Sequence, residues 1–252
     1  MTKERLGIIQ SRGLGDIIIA LPIAYHYYKQ GYEVYWPVCE QWVDQLKDAA
    51  PWMHWVPITP DNGPFFYDIP MKRVRALRCE NVICLYQALS GHPEFTEEAW
   101  FQHTSFDQYK YIRAGVPFKE KWNLSECITR NTAREQDLYN KIITFDKPYV
   151  VTHLSSSEQT VKFDPNIVPQ DWEIVPITDQ GYVFDWLTII EKAEAVIMTD
   201  SSFANLVDQL QLPVEKYFIP QHHIGLTPVH ACDWHWLPNP DLKRSAMIFR
   251  GS

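Results

Sequence analysis

Three short stretches of the chain put chemically useful groups where a helix is about to begin. The first is Gly13-Leu14-Gly15-Asp16. Two glycines let a second molecule approach the backbone, and the first turn of a helix offers N–H groups without partners of their own. A carboxylate there either takes a proton from a bound ligand or simply caps the helix, where the dipole favours it. The second is Asp200-Ser201-Ser202, whose successive amides and two hydroxyls suit a phosphate or diphosphate. Ser and Asp are also the commonest caps, so this turn has a plainly structural reading too. The third runs from Ser155 and Ser156 to Lys162. Its hydroxyls and one ammonium would offset the charge of a departing diphosphate, unless the run is only a solvated turn.

Several other chemistries are excluded by spacing. A dinucleotide fingerprint needs a third glycine at position 18, which is Ile18, and no Gly-Lys-Ser/Thr follows to make a P-loop. There is no Gly-x-Ser-x-Gly elbow for a hydrolase and no Asp-x-Asp pair to hold a metal on a diphosphate. His222, His223, His230, Cys232, Asp233 and His235 crowd together near the C-terminus. Their spacing matches no standard zinc site, and Pro228, Trp234 and Trp236 interrupt it, so no metal is expected.

The elements needed to position these groups are legible in the pattern. Leu6–Gln10 predicts a strand, Ser11–Gly15 a turn, and Asp16 the opening of a helix that stops at Gly31. Pro22 inside that helix predicts a kink or a late start. Strands are predicted over 32–38, 53–58 and 81–86, with a helix over 41–50. Residues 59–80, rich in Pro and Phe, read as an irregular loop facing a cleft. Residues 96–143 read as largely helical, with a break over 115–123. The alternation restarts near Lys147, with strands over 149–154, 172–177, 195–199 and 214–219 and helices over 184–193 and 203–210. That pattern predicts an α/β fold of two Rossmann-like units, residues 1–146 and 147–252.

Composition narrows the partners. The chain has 252 residues, 46% hydrophobic and 21% charged, which is enough for a real core. Its formal net charge of −8, with no basic run, argues against nucleic acid and against an anionic membrane surface. Five scattered cysteines with no Cys-x-x-Cys spacing read as reduced thiols. No segment is apolar enough for a leader or a span, so a cytoplasmic location is expected. The 10 Trp, 13 Tyr and 12 Phe suit either core packing or stacking on a sugar. Trp52, Trp55, Trp100, Trp234 and Trp236 are the candidates for stacking.

With these residues in view, a family resemblance follows. Residues 13–31, GLGDIIIALPIAYHYYKQG, resemble the opening of the heptosyltransferase-like glycosyltransferases of family 9. Residues 184–213, FDWLTIIEKAEAVIMTDSSFANLVDQLQLP, are similar to that family's second-domain signature, and the two segments occur in the family's order. The chain would be a short, divergent member, with Asn205 in place of a usual His and Ser202 in place of a usual Gly.

The resemblance implies a GT-B-like fold, two Rossmann-like domains facing across a cleft, with the acceptor on the first and a nucleotide-sugar on the second. It implies inverting, metal-independent transfer of a sugar from a nucleoside-diphosphate sugar to a hydroxyl acceptor, with no further cofactor. Asp16 would be the base and Gly13 and Gly15 its turn. Asp200, Ser201, Ser202, Ser155, Ser156 and Lys162 would meet the donor diphosphate, and domain closure would exclude water. A nucleotide-sugar epimerase or hydrolase of the same shape, or a binding protein without turnover, remains the alternative.

Overall fold

The computed structural model describes residues 3–59, 66–86, 104–156, 159–221 and 234–239. Two sheets, parallel throughout, organise them. The first takes β1 (Arg5–Ile9), β2 (Glu33–Cys39), β3 (His54–Ile58) and β4 (Asn81–Cys84) in the order β3-β2-β1-β4. The second takes β5 (Tyr149–His153), β6 (Glu173–Pro176), β7 (Ala195–Thr199), β8 (Glu215–Ile219) and β9 (Trp234–Trp236) in the order β6-β5-β7-β8-β9. The fold is thus α/β, with two Rossmann-like units. The central strands carry apolar residues on both faces, as parallel strands covered by helices must: Leu6, Ile8 and Ile9 are buried in β1, and every residue of β7 is buried.

Eight helices connect and cover the strands among the described residues. They are α1 (Leu14–Lys29), α2 (Val43–Ala49), α3 (Asp68–Ala76), α4 (Phe106–Ala114), α5 (Leu124–Cys127), α6 (Thr132–Ile142), α7 (Leu187–Glu191) and α8 (Ser202–Gln209). In α1 every residue from Ile17 to Ala24 is buried. A stretch apolar all round has no solvent face, and this middle part of α1 is covered by its own unit and by α8 of the second, while Tyr28 and Lys29 at its end are exposed. One continuous apolar core results, joining Ile17, Ile18 and Leu21 to Leu206 and Val207.

Four elements differ from the sequence expectation. Residues 59–80 are not wholly irregular, because α3 forms over Asp68–Ala76. Pro70 falls in its first turn, where a missing N–H costs nothing, and Val74 anchors it on the sheet. The approach is close: a Cβ at Gly7 would lie 2.8 Å from Val74 Cβ. Helix α1 starts at Leu14, without the late start that Pro22 suggested, and its cap position is Gly13 rather than Asp16. The expected helix 184–193 divides into a 3₁₀ turn, Val183–Trp186, followed by α7. Strand β9, only three residues long, gave no periodic signal; it pairs with β8 at the sheet edge. No described helix is long and apolar enough to cross a membrane.

Candidate active site

In an open α/β sheet, ligands bind beyond the carboxyl ends of the strands at the point where the strand order reverses. In the first sheet that point lies between β1 and β4, and in the second between β5 and β7. The loops leaving these four strands carry nearly all of the residues singled out from sequence.

After β1 the chain turns at Gly13, whose φ of +78° favours glycine. A Cβ there would also lie 2.3 Å from Asp16 Oδ2, so glycine leaves the carboxylate its room. Asp16 is the third residue of α1, and its Oδ1 forms an ion pair with Lys110 Nζ at 2.9 Å. The Lys110 ammonium, from α4, also donates to Gln10 Oε1 at 2.8 Å and lies 3.5 Å from the Leu85 carbonyl. Its side chain is 4% exposed, whereas that of Asp16 is 34% exposed. After β4, the Tyr86 hydroxyl accepts from the amides of Ser11 (2.9 Å) and Arg12 (3.1 Å). Burial pushes this phenol up to about 12, so it stays a neutral hydroxyl. The amides of Ser11 and Arg12 are therefore already paired within the protein.

In the second unit Ser201 is the cap of α8, its hydroxyl accepting from the Ala204 amide at 3.3 Å. The buried Asn205 donates from Nδ2 to the Ser201 carbonyl at 3.0 Å. Asp200, Ser201 and Ser202 are half-buried. The loop after β5 folds on itself as a small antiparallel bridge, with the Ser155 and Thr160 hydroxyls 2.9 Å apart and the Ser156 amide on the Gln159 carbonyl. The Gln159 and Gln221 side chains each donate to the other's backbone carbonyl at 3.2 Å, tying this loop to the end of β8. Lys162 is exposed just beyond the bridge.

The two units meet at these helix starts. A Cβ at Gly15 would lie 3.2 Å from Asn205 Nδ2 and 3.4 Å from the Ser202 amide nitrogen. Gly13, Gly15 and Asp16 thus form one locus with Ser201 and Ser202, and Gly15 allows the close approach. Ser155 and Ser156 follow the strand next to the one that ends at Asp200. No hydrogen bond or ion pair links Lys162 to Asp200–Ser202 among the described residues.

Three residues here escaped the sequence reading. Lys110 falls on the buried face of α4 with Asp107, Tyr111 and Ala114, and a lysine at that helical spacing was the available signal. Tyr86 is the last residue of the predicted strand 81–86, and the observed strand ends at Cys84, two residues before it. His153 closes β5 with its ring 4.7 Å from that of Phe203. Its Nδ1 is buried without a hydrogen bond among the described residues, and burial lowers the imidazole to about 4.

The aromatic and metal candidates divide differently. Trp55 stacks on Trp36 in the core, and Trp234 is buried with its indole N–H 3.1 Å from Asp208 Oδ1. Trp52 packs with Tyr25 and Tyr28, and Trp236 is 48% exposed. Trp100 lies outside the described residues, as do His222, His223, His230, Cys232 and Asp233. Among the described residues no group of three or more His, Cys, Asp or Glu is placed to hold a metal ion.

No family model and no curated protein sequence matches the chain. Solved structures do resemble it. The glycosyltransferase family 9 structure from Veillonella parvula superposes with a TM-score of 0.57 at 10% identity, over 94% of this chain and 86% of that one. The iron-containing dodecameric glycosyltransferase TibC from enterotoxigenic E. coli gives 0.52 at 12% identity, over 86% of this chain. TibC in complex with ADP-D-β-D-heptose gives 0.55 at 12% identity. The chain spans 58% of TibC in both cases. At such identities the likeness establishes the fold, two Rossmann-like units of GT-B type.

Proposed function

We propose that this chain is a glycosyltransferase that moves a sugar from a nucleoside-diphosphate sugar to a hydroxyl acceptor, with inversion and without a metal ion. The observation that carries the reading is the apposition of the two helix starts. Gly13–Asp16 and Ser201–Ser202 sit at the reversal points of two sheets and meet at Gly15. The resemblance of both segments to family 9, in a fold shared with family 9 structures, supports the same conclusion.

The acceptor oxygen attacks the anomeric carbon while the bond from that carbon to the diphosphate oxygen breaks, the leaving group taking the electron pair. The acceptor's proton goes to Asp16, whose side chain is the partly open carboxylate of the locus. The developing diphosphate charge meets the first amides of α8 and the hydroxyls of Ser201 and Ser202, with Asp200 bounding the turn. Ser155, Ser156 and Lys162 reach the same diphosphate from the neighbouring loop. Backbone dipoles, hydroxyls and one ammonium then do the work a divalent cation does elsewhere. Closure of the cleft on the bound donor would exclude water from the reacting atoms.

A thermal-shift screen against ADP, UDP, GDP, CMP and dTDP, with and without magnesium, tests the donor site. Anything that binds only the folded protein raises its melting temperature. One diphosphate giving a magnesium-independent rise is the expected result, and no response to any of them removes the donor site. ADP heads the panel because TibC was solved with an ADP-sugar. Donor consumption without acceptor that matches the rate with acceptor would favour an epimerase or hydrolase. Binding with no turnover, unchanged by Asp16→Asn, would favour a binding protein.

A further inference from the structure

We propose that Lys110 is the positioning residue for Asp16, fixing Oδ1 so that Oδ2 is presented to the acceptor hydroxyl. This inference rests on the transferase reading, in which Asp16 is the proton acceptor. An ammonium has three N–H groups to place. Lys110 donates to Gln10 Oε1 at 2.8 Å and to the Leu85 carbonyl at 3.5 Å, and its charge sits 2.9 Å from Asp16 Oδ1 as an ion pair. They come from the first turn of α1 and from the chain just past β1 and β4, so one cation gathers the whole reversal point of the first sheet.

The burial of the pair is lopsided, and that separates it from an ion pair that only stabilises the fold. Lys121 and Asp107 show that case, with both side chains fully buried at 2.7 Å. Lys110 is equally withdrawn, yet its carboxylate is one-third open. Placing a lysine out of water costs free energy unless it is paired, and a partner left open to solvent returns less of that cost. The arrangement makes sense if the open side of Asp16 has a use. Gly13 points the same way: its missing Cβ clears the space beside Oδ2, the oxygen Lys110 does not hold.

A double-mutant cycle tests this with wild type, Lys110→Met, Asp16→Asn and the double variant, all checked for folding by melting temperature. Turnover is read as nucleoside diphosphate released from ADP-heptose, ADP-glucose, UDP-glucose, GDP-mannose and dTDP-glucose, with water or added sugars as acceptor. Asp16→Asn is expected to lower kcat about 100-fold or more, and Lys110→Met about tenfold or more with donor KM within about threefold. Residues acting as a unit are not additive, so Lys110→Met should cost nothing further once Asp16 is Asn. Lys110→Arg should restore part of the loss.

Additive losses, or a Lys110→Met effect confined to KM, overturn the role of Lys110 while leaving Asp16 as the base. Near-normal turnover in Asp16→Asn removes the base, and no turnover with any donor removes the transferase reading; the inference goes with either. If Lys110→Met does not fold, the ¹⁵N resonance of the Lys110 ammonium decides. A signal in slow exchange with water that moves in Asp16→Asn supports the pairing, and one that does not move overturns it.

Discussion

The Gln209 side-chain amide donates to the Ile18 carbonyl at 3.0 Å, the very carbonyl that Pro22 leaves without its helical partner. Proline lacks the N–H that would bond four residues back, and here a residue 191 positions away in sequence supplies the donor. An imperfection in α1 thereby becomes an attachment point for α8, beside the apposed helix starts. The break expected at Pro22 is answered by the second unit.

This relationship predicts a coupled pair. Gln209→Met leaves the Ile18 carbonyl buried and unsatisfied, which costs about 1–3 kcal/mol in urea unfolding. Pro22→Ala restores an N–H at position 22, so Gln209→Met should cost markedly less in that background. Equal costs in both backgrounds would show that the carbonyl does not depend on Gln209.

A second attachment is ionic. Lys121, fully buried, lies 2.7 Å from Asp107 Oδ2 and 3.6 Å from Asp208 Oδ2, so it joins the helices of the first unit to α8. Lys121→Met removes the shared counter-ion of two buried carboxylates and should cost about 3–5 kcal/mol. With the two units sharing a core, the wild-type protein should unfold in one transition followed by tryptophan fluorescence. Two separate transitions in the wild type would contradict that coupling.

His153 makes stability depend on pH in a stated direction. Its folded value of about 4 lies below the free imidazole's 6.5, so the unfolded chain takes up the proton first as pH falls. The residue's contribution is complete above pH 6.5 and is lost progressively from there to about pH 4. The loss amounts to about 3 kcal/mol. Urea midpoints of wild type and His153→Phe, compared at pH 7.5 and 4.5, measure it. The variant should lose less stability than wild type over that interval.

Two glycines separate folding from binding. Gly7→Ala sets a Cβ 2.8 Å from Val74 Cβ, so α3 must shift, at about 1–3 kcal/mol of stability. Gly15→Val intrudes between α1 and the Ser202 amide, and should weaken nucleoside-diphosphate binding about tenfold or more with a smaller effect on the melting point. Unchanged binding in Gly15→Val would separate α1 from the donor site.

Much of the architecture was legible in the chain because its causes are local. Apolar runs bounded by turns marked the strands, Gly13 marked the first turn, and Ser201 marked a cap that is observed bonded to Ala204. The same local cues failed where composition pointed one way and packing the other. Helix α3 hides in a Pro- and Phe-rich stretch because Pro70 is harmless in a first turn. Strand β9 is too short to show a period.

The tertiary structure alone decided which of these pieces meet. Sequence placed Asp16 near a helix start; only folding put it against Lys110, whose ammonium also reaches Gln10 across 100 residues. Sequence marked two possible phosphate turns; only the packing of α1 on α8 brought Gly15 to the Ser202 amide. Periodicity and turn chemistry report on residues within one or two helical turns of each other. Burial of a charge, the partner that compensates it and the apposition of two helix starts depend on residues far apart in the chain.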